Sequence, residues 1–215
     1  MILILPAAML SGSINKQQPS TFKNLSIPRP TQEQLVPLID QAEKQKLPTD
    51  YLMLRVQEGV AKQVPLPKIE AALQQDMVVL ETARTLVYTA LGVSRGEALL
   101  KDSAHWIRIA TLLKEGIDDH HMLQLLQLAG ESQDKLRYAG GLLLALHQWE
   151  VDDQTSMRIV ESLIQSPIPS EEYRNVMTLF QEGLSRHIPV SEMAERIIRF
   201  AKGSHSFAQL QRLTR

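Results

Sequence analysis

The sequence predicts an all-α fold, an irregular stack of about nine or ten helices paired in hairpins, solenoid-like or bundled. Three observations carry that expectation. From Thr31 onward apolar residues recur with the 3.6-residue period of a helix, and no stretch alternates apolar and polar residues for the length a strand needs. Single aliphatic residues followed at once by Pro, Ser or Asp recur where one helical pattern ends and the next begins. One such junction is also repeated nearly intact further along the chain, as happens when helical pairs are stacked.

Taken in chain order, Met1 to Leu10 form an apolar run with small residues Ser11, Gly12 and Ser13 behind it. It has about half the roughly 20 apolar residues of a spanning helix, so no integral membrane span is expected. Its order is that of a short or truncated export signal, although no positive charge precedes it. The alternative is a segment that docks its apolar side chains on the folded body. Residues 15–30 are polar and carry Pro19, Pro28 and Pro30, the composition of an extended linker. Residues 1–30 are therefore set apart, and 31–215 are expected to form a single all-helical domain.

Thr31 with Gln34 and Ser94 with Glu97 fit the capping box, in which two side chains satisfy amide groups left free in a first turn. Leu47, Val64, Val93, Ile117, Val151, Ile168 and Ile188 mark seven helix-to-helix corners. They divide the chain into helices at about 31–45, 49–62, 66–91, 94–115, 118–130, 132–149, 152–165, 169–186, 190–202 and a short 204–213. In 66–91 one apolar stripe, Ile69, Leu73, Met77, Leu80, Ala83, Val87 and Ala90, holds its phase throughout. Leu136, Ala139, Leu142, Leu143, Leu144 and Leu146 surround most of 132–149, which makes it the central helix. Its Gly140-Gly141 pair marks a close helix crossing, or else a hinge or ligand contact.

The repeated junction is Gln57-Glu58-Gly59-Val60-Ala61-Lys62-Gln63-Val64-Pro65, matched without a gap by Gln181-Glu182-Gly183-Leu184-Ser185-Arg186-His187-Ile188-Pro189. Lys114-Glu115-Gly116-Ile117-Asp118 reads as a shortened third copy. Gly59, Pro65, Gly116, Gly183 and Pro189 are accordingly the structural hinges, the glycines being expected to adopt a backbone angle that a side chain resists. Spacing between corners is too uneven for a regular repeat array.

Composition narrows the function classes. Lys plus Arg is 23 against 24 for Asp plus Glu, a net charge of −1, so nucleic acid is not an expected partner. No cysteine is present, which excludes disulfides, thiolate metal sites and a cysteine nucleophile. The zinc-peptidase spacing, the phosphate-binding loop and the nucleophile elbow are absent. His120 and His121 follow Asp118 and Asp119, with His105 and Glu115 as conceivable neighbours, but adjacent helical residues point about 100° apart and suit one ion poorly. The two aspartates are better read as a cap, with both histidines in a solvated first turn. Asp152-Asp153 and Glu171-Glu172 are explained the same way. No catalytic residue, metal or other cofactor is therefore assigned. Trp106 belongs to a core stripe and Trp149 caps the end of the central helix. Residues 150–172 are acidic and 186–215 basic, patches that can meet within one molecule, between copies or on a partner.

Glu58 to Pro65, with Leu47-Pro48-Thr49 before it and Ile69-Glu70-Ala71-Ala72-Leu73 after it, resembles a group of uncharacterised exported bacterial proteins. Their repeated segments read Glu-Gly-(Leu/Val)-Ala-Lys-x-Val-Pro. The likeness is clearest over residues 35–73 and recurs faintly at 90–99 and 181–197. This chain departs from the group at Gln63 and His187, where glycine is usual. The resemblance implies a periplasmic or secreted all-helical protein and brings no activity with it. The expected function is a non-enzymatic helical interaction or scaffold protein of the bacterial envelope, working with a protein partner or with its own copies. The alternative is an envelope enzyme or small-ligand-binding protein with an interhelical pocket near Gly140-Gly141 or His120. A basic C-terminal tail acting on nucleic acid or anionic lipid is a third reading, which salt dependence would reveal.

Overall fold

A computed structural model of the chain describes residues 27–203, and among these it is an irregular stack of ten α-helices with no strand. The apolar segment 1–10 and the short helix expected at 204–213 lie outside the described residues. The helices are α1 (Arg29–Lys44), α2 (Thr49–Ala61), α3 (Leu66–Leu91), α4 (Val93–Leu100), α5 (Ser103–Lys114), α6 (Asp119–Ala129), α7 (Gln133–Gln148), α8 (Asp153–Gln165), α9 (Tyr173–Ser185) and α10 (Val190–Lys202). A one-turn 3-10 helix, Ser170–Glu172, leads into α9.

Five of the seven corners share one construction. After α1, α2, α5, α7 and α9 a single residue turns left-handed: Lys46, Gln63, Gly116, Glu150 and His187, with φ of 56°, 55°, 113°, 57° and 61°. The next residue is the aliphatic one, and its amide donates back across the helix end. Leu47 reaches the Ala42 carbonyl at 2.9 Å, Val64 reaches Gly59 at 2.9 Å, Ile117 reaches Leu112 at 3.1 Å, Val151 reaches Leu146 at 3.0 Å and Ile188 reaches Gly183 at 3.0 Å. Each left-handed residue donates to the carbonyl three positions before it, completing the Schellman arrangement that satisfies carbonyls a helix end leaves free. Pro or Asp then stands at the N-cap of the following helix.

The other two junctions differ. Val93 is 60% exposed and is the first residue of α4, the turn being made by Gly92 at φ 79°. Ile168 lies half-buried in a bend between two prolines and packs near Leu179 and Phe200. Both capping boxes also give way: α1 starts two residues before Thr31, after Pro28, and α4 starts after Gly92. A proline at the first turn needs no amide partner, so it opens a helix earlier than a hydroxyl cap would. The helix expected at 94–115 is two helices, because Asp102 accepts from the Ala104 amide at 2.9 Å and begins α5 afresh.

The glycines fall into two roles. Gly116 makes its corner by left-handed geometry. Gly59 and Gly183 instead sit inside the last turns of α2 and α9, and what requires them is a close approach. A Cβ on Gly59 would lie 2.9 Å from Ile69 Cγ1, and one on Gly183 2.5 Å from Met193 Sδ. The two matched segments thus fold alike, down to the residue each glycine faces. The third copy aligns differently, since Gly116 takes the place of Gln63 and His187 rather than of Gly59.

Two helices organise the body. The 26-residue α3, about 39 Å long at 1.5 Å per residue, packs against α1, α2, α4, α5 and α6. The stripe read from sequence is its buried side from Ile69 to Val87, Ala90 at its end being half-buried. α7 packs against α5, α6, α8 and α9, with Gly140 letting it approach α5, where a Cβ would meet Leu112 Cδ1 at 2.7 Å. Gly141 faces open space. Beyond α3 the hairpins stack, α5 against α7 against α9 in one layer and α6 against α8 against α10 in the other. α8 and α10, from the acidic and basic segments, pack against each other, and the ion pair between them joins the lone base of the first to an acid of the second, Arg158 to Glu195 at 2.9 Å.

Four corners hold an ordinary side chain in a backbone region that costs L-residues about 1–2 kcal/mol. Gln63→Gly and His187→Gly should each raise stability by about 0.5–1 kcal/mol after the glycine's own entropic cost is subtracted. Urea denaturation of the two variants checks this; an unchanged or lowered midpoint would contradict it.

Candidate functional site

The most unusual chemistry lies on α3, in a position the apolar stripe conceals. Asp76 follows Leu73 by three residues and precedes Leu80 by four, so it faces the core and is only 3% exposed. Its carboxylate is met from both sides. Oδ1 accepts from Lys114 Nζ at the end of α5 at 2.5 Å, and Oδ2 from Arg55 Nε of α2 at 3.3 Å. Arg55 Nη1 continues to Glu58 at 2.6 Å, and Glu58 accepts from Lys62 at 2.5 Å. Burial opposes charge on the Arg55 guanidinium, yet the neighbouring Asp76 and Glu58 carboxylates outweigh it and raise the pKa above the ordinary value. The Lys62 ammonium, with Arg55, lowers the pKa of Glu58.

A hollow of about 190 Å³ opens beside this network at the α2–α3 corner, floored by Val64, Ile69 and Leu73 and edged by Arg55, Lys62 and Lys68. On another side of α3 an open groove of about 720 Å³ runs to the α5–α6 corner. Its apolar lining is Val79, Leu113 and Ile117, with Thr82 and Gly116, and Asp118, Asp119 and His120 stand at its end, which places a groove at His120 but none at Gly140-Gly141 among those described. Val78, next to the groove, is 65% exposed, more than Leu54 or Val93, the other large apolar side chains held out in solvent among the described residues.

The histidines are arranged otherwise than expected. Asp118 does cap α6, accepting from the His121 amide at 2.9 Å. Its second oxygen lies 2.8 Å from His121 Nδ1, which draws that ring inward, so His121 is buried while His120 is exposed. Burial works against the Asp118 carboxylate, but these hydrogen bonds prevail and lower its pKa. His147 from α7 joins the pair, with ring centroids 5.6 Å apart for His120 and His121 and 5.8 Å for His121 and His147. His105 lies at the other end of α5. Among the described residues no three His, Asp or Glu side chains are placed to hold a metal ion.

The remaining sequence candidates take structural roles. Asp152 caps α8, accepting from Thr155 at 2.9 Å, and Asp153 lies 3.4 Å from His147 Nε2. Glu171 and Glu172 form the 3-10 turn before α9, where Glu172 accepts from Asn175. Trp106 is core and donates from Nε1 to the Leu80 carbonyl at 2.7 Å; Trp149, half-buried at the end of α7, stacks on Phe180 at 5.4 Å. Two buried groups carried no sequence signal. The hydroxyl of Tyr173 donates to Leu163 at 2.9 Å, and burial pushes its pKa up to about 12. His105 is buried with neither ring nitrogen hydrogen-bonded, and burial lowers its pKa against the pull of Asp102 at 3.4 Å.

No protein-family model matches the chain, and neither a curated protein nor a solved structure is significantly similar to it. What the fold defines is an all-α protein of stacked hairpins, and its function rests on its own surfaces.

Replacing both Arg55 and Lys114 by methionine strands the Asp76 carboxylate in the core. It should cost about 3–5 kcal/mol, most of which returns when Asp76→Leu is added. Denaturant midpoints of the double and triple variants check this, and equal midpoints would contradict it. His105 sets a pH dependence of definite sign. Its folded pKa lies below the unfolded value of about 6.5, so the unfolded chain binds the proton first and stability falls as pH drops below that value. His105→Gln should flatten the stability profile between pH 7 and 5; an unaltered profile would show that the acid sensitivity lies elsewhere.

Proposed function

We propose that this chain is a non-enzymatic helical interaction protein of the bacterial envelope, acting by presenting part of its helical surface to another protein. The observation that carries this reading is the solvent side of α3. Ala71, Gln75, Val78, Thr82, Thr85 and Thr89 follow one another at alternating four- and three-residue steps, so they line a single face. That face has no charge along its length, on the longest helix of the body. Thr82, Thr85 and Thr89 turn their hydroxyls to the carbonyls four residues back, at 3.1, 3.0 and 2.8 Å, which leaves their methyl groups to cover the surface. A neutral, β-branched strip beside an open groove costs little to desolvate. The envelope location rests on the resemblance and on the apolar run at Met1 to Leu10.

A second reading has its own observation in the hollow edged by Arg55, Glu58, Lys62 and Lys68 over an apolar floor, which suits a small ligand with an apolar part. Affinity capture with the full chain on native envelope extract separates the two. The expected result is a stoichiometric protein held by the wild type and lost with Val78→Asp. Recovery of a small molecule and no protein would move the assignment to the hollow.

A further inference from the structure

We infer that the groove between α3 and the α5–α6 corner receives a partner helix of particular chemistry, an amphipathic one with an apolar stripe edged by lysine or arginine. This rests on the interaction reading above and adds to it the kind of partner. The groove floor is Val79, Leu113 and Ile117, and Ile117 is itself fixed by the left-handed Gly116 corner, so the floor is rigid before anything binds. Preformed apolar grooves of this type take helices through anchors at i, i+3, i+4 and i+7. On the α3 side the groove is walled by Val79 and Thr82, about 4.5 Å apart along the helix axis, and it continues over Leu113 and Ile117 to the corner.

Charge selects the partner's edge. Glu115, Asp118 and Asp119 are all exposed at the corner that closes the groove. The cation nearest to them in sequence, Lys114, is exposed along its stem but has its ammonium paired with the buried Asp76 carboxylate at 2.5 Å. On the α3 side Arg84 is likewise occupied, by Glu81 at 3.3 Å and the Gln45 carbonyl at 2.7 Å. Asp118 is engaged by His121, so Glu115 and Asp119 are the acids that set the charge of this corner, with Lys114 and Arg84 paired to Asp76 and Glu81. A basic-edged helix gains attraction there, and an acidic-edged one is repelled. A second copy laid antiparallel on the same face, with the two-fold axis between residues 75 and 76, would bring Glu70 of each copy against Glu81 of the other, which disfavours self-pairing.

The test uses the full chain and two synthetic helices of about 14 residues, each with leucine at i, i+3, i+4 and i+7, one carrying lysine elsewhere and the other glutamate. Methyl NMR of the chain should show the lysine peptide shifting Val78, Val79 and Leu113, with affinity falling steeply as salt rises. The glutamate peptide should bind at least about tenfold more weakly. The double variant Glu115→Lys, Asp119→Lys, both exposed and outside the Asp118 cap, should reverse the preference between peptides; Val78→Asp should weaken the lysine peptide without altering the fold. Equal binding of both peptides, or shifts confined to another face, would overturn the inference. So would a dimer in sedimentation that Val78→Asp dissociates. If the lysine peptide fails while envelope capture still yields a protein lost with Val78→Asp, the interaction reading stands and only this partner chemistry falls.

Discussion

A residue in left-handed conformation at the end of a helix is what the rest of this molecule depends on. Five times the chain closes a helix in this way, buries or half-buries one aliphatic side chain, and starts the next helix at once. The connection is too short to allow any path other than a tight reversal, so each helix returns along its predecessor and the pairs stack. Four of the five positions lack glycine. The cost, about 1–2 kcal/mol each, is of the size that the two added hydrogen bonds and the aliphatic contact offset. Corner geometry is thus maintained by the packing it creates, which makes the body cooperative rather than a chain of independent hairpins.

Identical corners do not by themselves decide how closely two helices approach. That is set by the residue accepting the aliphatic amide and the residue ten positions later, in the first turn of the next helix. Where the acceptor is Gly59 or Gly183, the later position is the bulky Ile69 or Met193, and the contact is too close for a Cβ. Where it is Leu146, the later position is the small, fully buried Ser156; Ala42 is followed by Leu52. Large and small residues exchange places while the combined volume stays within what a close-packed interface accepts. Leu112 and Met122 break this exchange, both being large. There Leu112 is taken up instead by Gly140 of α7, so the volume is balanced against a different helix.

The periodic parts of this fold were legible in the sequence, and the parts that depend on a partner distant in the chain were not. Stripe, corner and repeat are local or regular, and the Leu47, Val64, Ile117, Val151 and Ile188 corners follow from them. The left-handed turns at Gln63 and His187 form without glycine, because two backbone hydrogen bonds hold each of them. Asp102, the residue that splits a long helical pattern into α4 and α5, was visible only as one more polar position. The Asp76 network was hidden in the same way. An acid three residues after Leu73 and four before Leu80 is a recognisable misfit on an apolar face, but nothing local shows that Arg55 and Lys114 converge on it. His121 was misplaced because the pull of the Asp118 side chain on its own first turn outweighs the tendency of a polar first turn to stay in water.

The buried carboxylate and the exposed groove are linked through one side chain. Lys114 ends α5 immediately before the Gly116 corner, and an ammonium not paired with Asp76 would add a positive charge beside Glu115 and Asp119. Asp76 draws the ammonium inward instead. The cost of burying that carboxylate is therefore not offset by stability alone, since a well-packed apolar residue commonly serves as well or better at such a position. What the ion pair adds is specificity of placement: it ties α5 to α3 in a single register and leaves the corner's surface charge of one sign. A leucine at position 76 would preserve the helix packing and release Lys114 toward the groove, changing the surface through a substitution that never touches it.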